Sequence, residues 1–211
     1  MVLSDAFYWA TKTLFRVAFT LYNGLEVEGL GGILPQTTYI VASNHASYID
    51  PPLLGGVFPG RLRYLAKDSL FENPVMRFLI SNLGAIPVKR EDSQRAGAVM
   101  KVVLERLAQG ESFLLFPEGT RSKDGKLLPL EGGAAYLSVK SGVPLLPVYI
   151  SGSSDAMPPH SSFPRPVRLK VTFGAPLFPD AAIAAEKQRR ETLLTALDEA
   201  LRSLERASGP R

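Results

Sequence analysis

The sequence contains no cysteine, and this absence removes several kinds of chemistry at once. Disulfide bonds, thiolate catalysis and cysteine-ligated zinc sites are excluded. Histidine is nearly as scarce, with two residues among 211, and His160 lies in a stretch rich in proline and serine. Because histidine is the usual general base near neutral pH, His45 is the one well-placed candidate for that role.

Two further features are missing from the sequence. There is no signal peptide with a basic start and a small-residue cleavage site. There is also no zinc-finger, RNP or helix-turn-helix pattern and no dense run of basic residues, so nucleic acid is not an expected partner. The net charge of +4 and the pI of about 9.4 suit phosphate-bearing substrates or acidic lipid headgroups instead.

Segments with strand and helix patterns alternate along the chain. Strands are predicted at residues 25–29, 37–42, 62–66, 85–88, 112–116, 145–150 and 167–173, the last as an edge strand. Helices are predicted at residues 50–57, 74–82, 93–108, 132–141 and 181–206, with loops at 117–131 and 151–166. This alternation predicts one α/β domain over residues 26–211, with a mostly parallel central sheet flanked by helices.

The N-terminal segment, residues 1–25, is mostly apolar and aromatic. Lys12 and Arg16 stand four residues apart, on one side of a predicted helix. Two charges in the middle of the segment argue against a membrane-spanning helix. Aromatic residues with a basic stripe are typical of an amphipathic helix that lies in the membrane interface. The alternative is a helix that packs on the core of the domain itself.

The stretch Asn-His-Ala-Ser-Tyr-Ile-Asp, residues 44–50, combines a candidate base with a carboxylate. It follows a buried-strand pattern and precedes a helix, so His45 and Asp50 are expected at the edge of the sheet. Asp50 could hold the imidazole in one tautomer. The alternative is structural, because Asp50 before Pro51 also fits a helix N-cap with proline in the first turn. Ser47 is expected to be a cap rather than a nucleophile.

A second stretch, Phe-Pro-Glu-Gly-Thr-Arg-Ser, occupies residues 116–122 at the end of another apolar run. Gly119 allows the backbone to approach a ligand, and the guanidinium of Arg121 suits a phosphate group. Lys67 and Arg90 follow two other predicted strands. Since parallel strands end at one edge of a sheet, these basic groups are expected near His45. Taken alone, each could instead be a solvated surface charge.

Together the two stretches resemble the glycerolipid acyltransferase family, which includes the lysophosphatidic acid acyltransferases. That family carries Asn-His-x-x-x-x-Asp and Phe-Pro-Glu-Gly-Thr-Arg-Ser in this order, and weaker blocks at residues 84–90 and 143–148 also fit. The resemblance implies acyl transfer from acyl-CoA or acyl-carrier protein to the free hydroxyl of lysophosphatidic acid. It implies no metal or other cofactor, and a peripheral or monotopic place on the cytoplasmic face of the cell membrane.

The resemblance also implies roles for individual residues. His45 and Asp50 would be the catalytic pair, acting by direct attack of the acceptor hydroxyl without an acyl-enzyme. The substrate-binding residues would be Lys67, Arg90, Glu118, Gly119, Thr120, Arg121 and Ser122. Within this set the arginines would bind phosphate, whereas Glu118, an acceptor when ionised, would position the loop or serve as a second base.

Two other functions remain open at this point. The acceptor could be another lysophospholipid, a lyso-amino lipid or a glycolipid. The protein could also be a catalytically silent lipid-binding or membrane-scaffold protein. The intact set of His45, Asp50, Glu118 and Arg121 argues against a silent protein.

Overall fold

The structure is a computed structural model that describes residues 5–34, 36–88, 96–158, 161 and 163–209. Within these ranges seven strands form one sheet in the order β1-β7-β6-β2-β5-β3-β4. The strands are β1 (Glu26–Glu28), β2 (Ile40–Ser43), β3 (Leu62–Lys67), β4 (Ala85–Val88), β5 (Ser112–Leu115), β6 (Leu145–Ser151) and β7 (Lys170–Phe173). The β6–β7 pair is antiparallel and the other described pairs are parallel. The predicted mostly parallel sheet is therefore confirmed.

Helices cover both faces of this sheet. They are α1 (Asp5–Asn23), α2 (Asp50–Val57), α3 (Pro74–Asn82), α4 (Ala96–Ala108), α5 (Gly133–Ser141), α6 (Ser153–Ala156) and α7 (Glu186–Ala207). Successive side chains of β2 point to opposite faces, as the two-residue period of a strand requires. Val41 packs with Leu53 and Leu54 of α2, whereas Ile40 packs with apolar residues of α4, α5 and α7. The central strands are thus buried on both sides, which explains their near-continuous apolar sequences.

The prediction that residues 167–173 form an edge strand was wrong. β7 begins at Lys170 and lies between β6 and β1, so the three-residue strand β1 is the edge. Val171 and Phe173 are buried while Lys170 and Thr172 are half-buried, and this alternation resembles an edge strand in sequence. Lys170 contacts Glu28 of β1, with 2.9 Å between Nζ and Oε1. The basic residues thus face the acidic side chains of a neighbouring strand.

Two other predicted boundaries differ from the structure, and a third is not tested by it. The short helix α6 lies inside the loop predicted at 151–166, and α7 begins at Glu186 rather than at 181. The helix predicted from residue 93 is described from Ala96 onward, and residues 93–95 lie outside the described ranges. His160 also lies outside them.

Helix α1 packs against α2, and its contact face includes a charged residue. Lys12 is 7% exposed, and its ammonium donates hydrogen bonds to the carbonyl oxygens of Phe58 and, at 2.8 Å, Gly60. Lys12 therefore lies inside the protein, and the expected basic stripe of Lys12 and Arg16 does not form on the surface. Burial, with the nearby charge of Arg16, lowers the pKa of Lys12 to about 8.

The opposite side of α1 exposes large apolar side chains. Leu14, Val17 and Leu21 are 62%, 46% and 82% exposed, and their spacing places them on one face of the helix. The helix therefore both packs on the domain and presents apolar residues to solvent. In the part of the chain that the structure describes, no helix is long and apolar enough to span a bilayer.

Candidate active site

The candidate site lies where four neighbouring parallel strands end. β5 pairs with β2 on one side and with β3 on the other, and β4 pairs with β3. The carboxyl ends of these strands therefore meet at one edge of the sheet. Two connections meet there: the β2 turn, residues 44–50, and the β5 loop, residues 116–132. The β2 turn carries the histidine and the β5 loop carries the arginine.

His45 and Asp50 form a hydrogen-bonded pair in the β2 turn. The distance between Nδ1 of His45 and Oδ2 of Asp50 is 2.9 Å. Asp50 is fully buried, whereas the side chain of His45 is 15% exposed. A carboxylate facing Nδ1 favours the tautomer that carries its proton there. This leaves the lone pair of Nε2 available to accept a proton.

Backbone amides hold the carboxylate of Asp50 in place. Oδ2 also accepts hydrogen bonds from the backbone N–H groups of Ala46, at 2.8 Å, and Ser47, at 2.7 Å. Three donors therefore converge on one carboxylate oxygen. Asp50 is at the same time the first residue of α2, followed by Pro51. The alternative in which Asp50 is the N-cap was wrong, because Ile49 is the N-cap and the amides that Asp50 binds precede the helix. The same carboxylate nevertheless shapes the turn and orients the histidine.

Two other side chains fix the position of His45. Asn44 binds the backbone of Ile150 in β6, with its Oδ1 accepting from N–H at 2.7 Å and its Nδ2 donating to the carbonyl at 2.9 Å. The ring of Phe116 stacks on the imidazole, with 3.9 Å between centroids and 15° between planes. Asn44 holds the start of the β2 turn against β6, the neighbouring strand in the sheet. Phe116 limits rotation of the imidazole.

Glu118 connects the β5 loop to the β2 turn. Its Oε1 accepts a hydrogen bond from the backbone N–H of His45 at 2.6 Å, and its Oε2 accepts one from Leu128 at 2.8 Å. The residue is buried, and this burial raises the pKa of the carboxyl. Since both oxygens face backbone amides, the geometry favours a role in holding the loop over direct contact with a substrate.

The rest of the β5 loop is more open. Gly119, with φ of 68°, and Thr120 are exposed. A Cβ atom on Gly119 would lie 2.6 Å from Oε1 of Glu131, so this position favours glycine for both reasons. Ser122 is buried and donates its backbone N–H to the carbonyl of His45 at 2.8 Å. The guanidinium carbon of Arg121, the residue between, is 3.6 Å from the centre of the Tyr48 ring.

Comparison with known proteins gives a consistent result. The model of the family described as Acyltransferase matches residues 24–151, more than half of the chain. The chain belongs to the acyltransferase family. The resemblance found in its motifs is thereby confirmed.

Three relatives show how far the similarity extends. A 1-acyl-sn-glycerol-3-phosphate acyltransferase of Brassica napus is 34% identical over 152 residues, which cover 71% of this chain and 42% of that protein. The protein of the same name from Bacillus subtilis is 27% identical over 192 residues, covering 90% and 92%. The crystal structure of the LPA acyltransferase PlsC from Thermotoga maritima matches with a TM-score of 0.80 and 29% identity, covering 97% of this chain and 80% of that one. The chain spans less than half the length of the plant relative.

Two further site residues were predicted from sequence, Lys67 and Arg90. Lys67 is exposed at the end of β3, which β5 separates from β2. Arg90 follows β4 but lies outside the described residues, so its role stays a prediction. No group of three histidine, aspartate or glutamate side chains in the described ranges is arranged to hold a metal ion.

The family motifs include functional contacts that our interpretation of the sequence missed. Asn44 and Phe116 lie inside the two motifs, but we assigned them no role. Tyr48 occupies a variable position of the first motif and was also passed over. Ser47 donates its hydroxyl to the carbonyl of Met157 at 3.0 Å, so its contact is structural, but the expected capping role was wrong because the N-cap of α2 is Ile49.

Proposed function

We propose that this protein is a 1-acyl-sn-glycerol-3-phosphate acyltransferase. It moves a fatty acyl group from acyl-CoA or acyl-carrier protein to the free hydroxyl of lysophosphatidic acid, and the product is phosphatidic acid, a phospholipid precursor. The observation that carries the proposal is the hydrogen-bonded His45–Asp50 pair, with Nε2 of the histidine directed away from its carboxylate. The names of the relatives support the choice of acceptor.

The proposed reaction has one base and no covalent enzyme intermediate. Nε2 of His45 takes the proton of the acceptor hydroxyl as its oxygen attacks the thioester carbonyl. Asp50 stabilises the imidazolium that forms, through the Nδ1 proton. The tetrahedral intermediate then collapses, the carbon–sulfur bond breaks, and the imidazolium returns the proton to the departing thiolate. The products are an ester and a free thiol, and His45 is again neutral.

The phosphate of the acceptor is proposed to bind at the basic edge beside His45. Arg121 lies in the β5 loop, which is held against the β2 turn because Glu118 accepts the backbone N–H of His45 and Ser122 donates its own N–H to the carbonyl of His45. Lys67 is the last residue of β3, and Arg90 comes two residues after the end of β4 in the sequence. An arginine can bind two phosphate oxygens through parallel charge-assisted hydrogen bonds. Such binding would orient the acceptor hydroxyl towards Nε2.

The absence of cysteine makes the direct test unusually clean. Purified protein is mixed with acyl-CoA and one acceptor, and released thiol is measured with a colorimetric thiol reagent. Because the chain contains no cysteine, all the colour comes from the released CoA. Lysophosphatidic acid should support release, whereas lysophosphatidylcholine and a glycolipid should support much less. Release that does not depend on any acceptor would contradict the proposal. No release with any acceptor, from acyl-CoA or from acyl-carrier protein, would favour the silent alternative.

The exposed apolar face of α1 supports a second part of the proposal, which is attachment to the cytoplasmic face of the cell membrane. Leu14, Val17 and Leu21 project from the side of α1 opposite to the buried Lys12. A helix with such a face can lie in the membrane interface with its apolar residues among the lipid chains. Both proposed donors are soluble thioesters and the acceptor is a lipid, so an enzyme at this surface reaches both substrates.

Point variants test this attachment better than deletion of α1. Removal of the helix would uncover α2, against which Lys12 packs, whereas Leu14→Ser with Leu21→Ser changes exposed positions alone. The double variant should sediment less with phosphatidylglycerol vesicles and keep its activity on detergent-dispersed acceptor. Phe178→Ser, at a 68% exposed position far along the chain, is the control. Full sedimentation of the double variant would exclude α1 as the anchor.

A further inference from the structure

Tyr48 and Arg121 contact each other across the two segments of the candidate site. The guanidinium carbon of Arg121 lies 3.6 Å from the centroid of the Tyr48 ring, well inside the distance at which a cation is attracted to an aromatic face. Tyr48 is 56% exposed and Arg121 is half-buried. Both groups therefore border on solvent at the edge of the sheet where the acceptor would bind.

The backbone around this contact is held at fixed positions. Ser122, next to Arg121, donates its N–H to the carbonyl of His45 at 2.8 Å. Tyr48 stands two residues before Asp50, whose carboxylate accepts the N–H groups of Ala46 and Ser47. The contact thus joins two side chains whose main chains are already tied to the catalytic pair. The hydrogen bond of Ser122 fixes the main chain beside Arg121 but not the orientation of the guanidinium. That orientation depends on the contact with the ring of Tyr48.

Contact with the ring of Tyr48 leaves the N–H groups of the guanidinium accessible. The five N–H donors of arginine point outward in the plane of the group. The distance of 3.6 Å from the guanidinium carbon to the ring centroid is that of face-to-face stacking, so we infer that Tyr48 covers the face of the group. Among the described residues, none accepts a hydrogen bond from the side chain of Arg121, nor does any pair with the hydroxyl of Tyr48. The arginine is therefore held by its face while its edge stays available for two phosphate oxygens.

We propose that Tyr48 is a positioning residue that holds Arg121 flat, with its N–H edge towards the phosphate of the acceptor. This inference rests on the proposed function. A free arginine side chain loses rotamer freedom when it binds a ligand, and a guanidinium already held by a ring loses less. Tyr48 would therefore strengthen acceptor binding without touching the reacting atoms.

The kinetic test compares Tyr48→Leu with Tyr48→Phe. Leucine removes the aromatic face and should raise the KM for lysophosphatidic acid roughly 3- to 30-fold, the range expected from loss of a cation–π contact. The kcat and the KM for acyl-CoA should remain near those of the parent. Phenylalanine keeps the face and should restore the acceptor KM. Phe178→Leu, at an exposed aromatic position outside the site, is the control for loss of an aromatic residue.

A second comparison asks whether Tyr48 acts through Arg121. In an Arg121→Gln background the guanidinium is missing, so Tyr48→Leu should cause little further rise in the acceptor KM. If the two substitutions instead raise the KM independently, Tyr48 contacts the substrate directly and the proposal is wrong. An unchanged KM in Tyr48→Leu alone, or a Phe variant as weak as the Leu variant, would also overturn it.

Nuclear magnetic resonance tests the contact without any substrate. Protons of the Arg121 side chain, identified by their loss in Arg121→Lys, should show an aromatic ring-current shift that persists in Tyr48→Phe and disappears in Tyr48→Leu. If wild-type protein shows no such shift, the contact does not form in solution and the proposal fails. If the shift is present but lysophosphatidic acid releases no thiol from either acyl-CoA or acyl-carrier protein, the proposed function fails instead. The two failures are therefore distinguishable.

Discussion

The polar groups of the β2 turn form hydrogen bonds with one another, whereas several polar groups of the β5 loop are exposed to solvent. In the turn, the imidazole of His45 and two backbone amides donate to one oxygen of Asp50, which is fully buried. In the loop, Gly119 and Thr120 are exposed, and Arg121 contacts the face of an aromatic ring. The two segments follow neighbouring parallel strands, β2 and β5, and therefore lie at the same edge of the sheet.

This difference matches two tasks that acyl transfer imposes. A general base must keep its tautomer and direction before any substrate arrives, so its environment is best completed by the protein itself. A phosphate-binding group must leave donors unused until the phosphate binds. Glu118 joins the two segments, because it lies in the loop and accepts the backbone N–H of His45. Substitutions in the β2 turn and substitutions in the β5 loop should therefore impair different properties of the enzyme.

The largest effect is expected on the turn side, at His45. His45→Ala removes the proposed base and should lower kcat by about two to four orders of magnitude. Thiol release from acyl-CoA with saturating lysophosphatidic acid measures this loss, and an unchanged thermal midpoint shows that the fold is intact. Turnover near that of the wild type would rule out His45 as the base.

Asp50→Asn, also in the β2 turn, removes the negative charge of the side chain while keeping its size and its ability to accept hydrogen bonds. Asparagine can still accept hydrogen bonds from the amides of Ala46 and Ser47, but it no longer carries the charge that stabilises an imidazolium. We expect a loss of kcat that is similar to that of His45→Ala or smaller, with the fold kept. A double variant should be no worse than His45→Ala, and additive losses would show that the two residues act separately.

A substitution at Arg121 in the β5 loop should impair use of the acceptor rather than of the acyl donor. Arg121→Lys keeps the positive charge but removes the paired N–H geometry, and should weaken acceptor use by about 1–3 kcal/mol. Titrations that vary acyl-CoA and lysophosphatidic acid separately locate the loss. We expect the acceptor KM to rise, or kcat to fall, while the donor KM stays constant. A rise in the donor KM alone would place Arg121 in the binding site for the phosphates of CoA.

Glu118→Gln tests the link between turn and loop. The amide offers one oxygen where the carboxylate offers two, so the backbone N–H of either His45 or Leu128 loses its acceptor. We expect the free energy of unfolding to fall by about 1–3 kcal/mol, measured in urea at pH 7. Glu199→Gln, an exposed change on α7, is the matched control and should be nearly neutral.

The pH dependence of the same pair of proteins adds a signed test. Because burial raises the pKa of Glu118 from its ordinary value of 4.5, the native state holds more protons there than the unfolded state between these two values. The contribution of Glu118 to the free energy of unfolding is therefore full below pH 4.5 and decreases as the pH rises through the folded pKa. The glutamine variant should lack this decrease, and identical slopes would contradict the expected shift.

Much of the fold could be predicted because its signals are local. Residues 40–42 and 145–150 are continuously apolar, as strands buried on both faces must be, and helices alternate with them. The position of β7 could not be predicted, since its outer neighbour β1 comes from three residues near the other end of the chain. The burial of Lys12 was hidden for a similar reason, because its partners are carbonyl oxygens beyond the end of α2.

The same distinction holds in the site. The pairing of His45 with Asp50 spans five residues, so spacing alone was enough to predict it. Glu118 and His45 are 73 residues apart, and their contact depends on the pairing of β2 with β5. The contacts of Phe116 with His45 and of Tyr48 with Arg121 cross between the same two segments. Such contacts require the register of the sheet, which local patterns do not contain.

The smallest effect is expected at Ser47, which sits in the catalytic turn but points away from the reaction. Its hydroxyl donates to the carbonyl of Met157 at 3.0 Å and is therefore engaged within the protein. Ser47→Ala should therefore lower the free energy of unfolding by about 0.5–1.5 kcal/mol, the usual net value of one hydrogen bond, and leave kcat within about twofold. Urea unfolding and thiol release measure the two quantities on the same preparation. A loss of turnover comparable to that of His45→Ala, with stability unchanged, would mean that the serine carries an acyl group, and would replace direct attack by a two-step mechanism. Retained turnover would show that the turn supplies a base alone, and that the acceptor itself is the nucleophile.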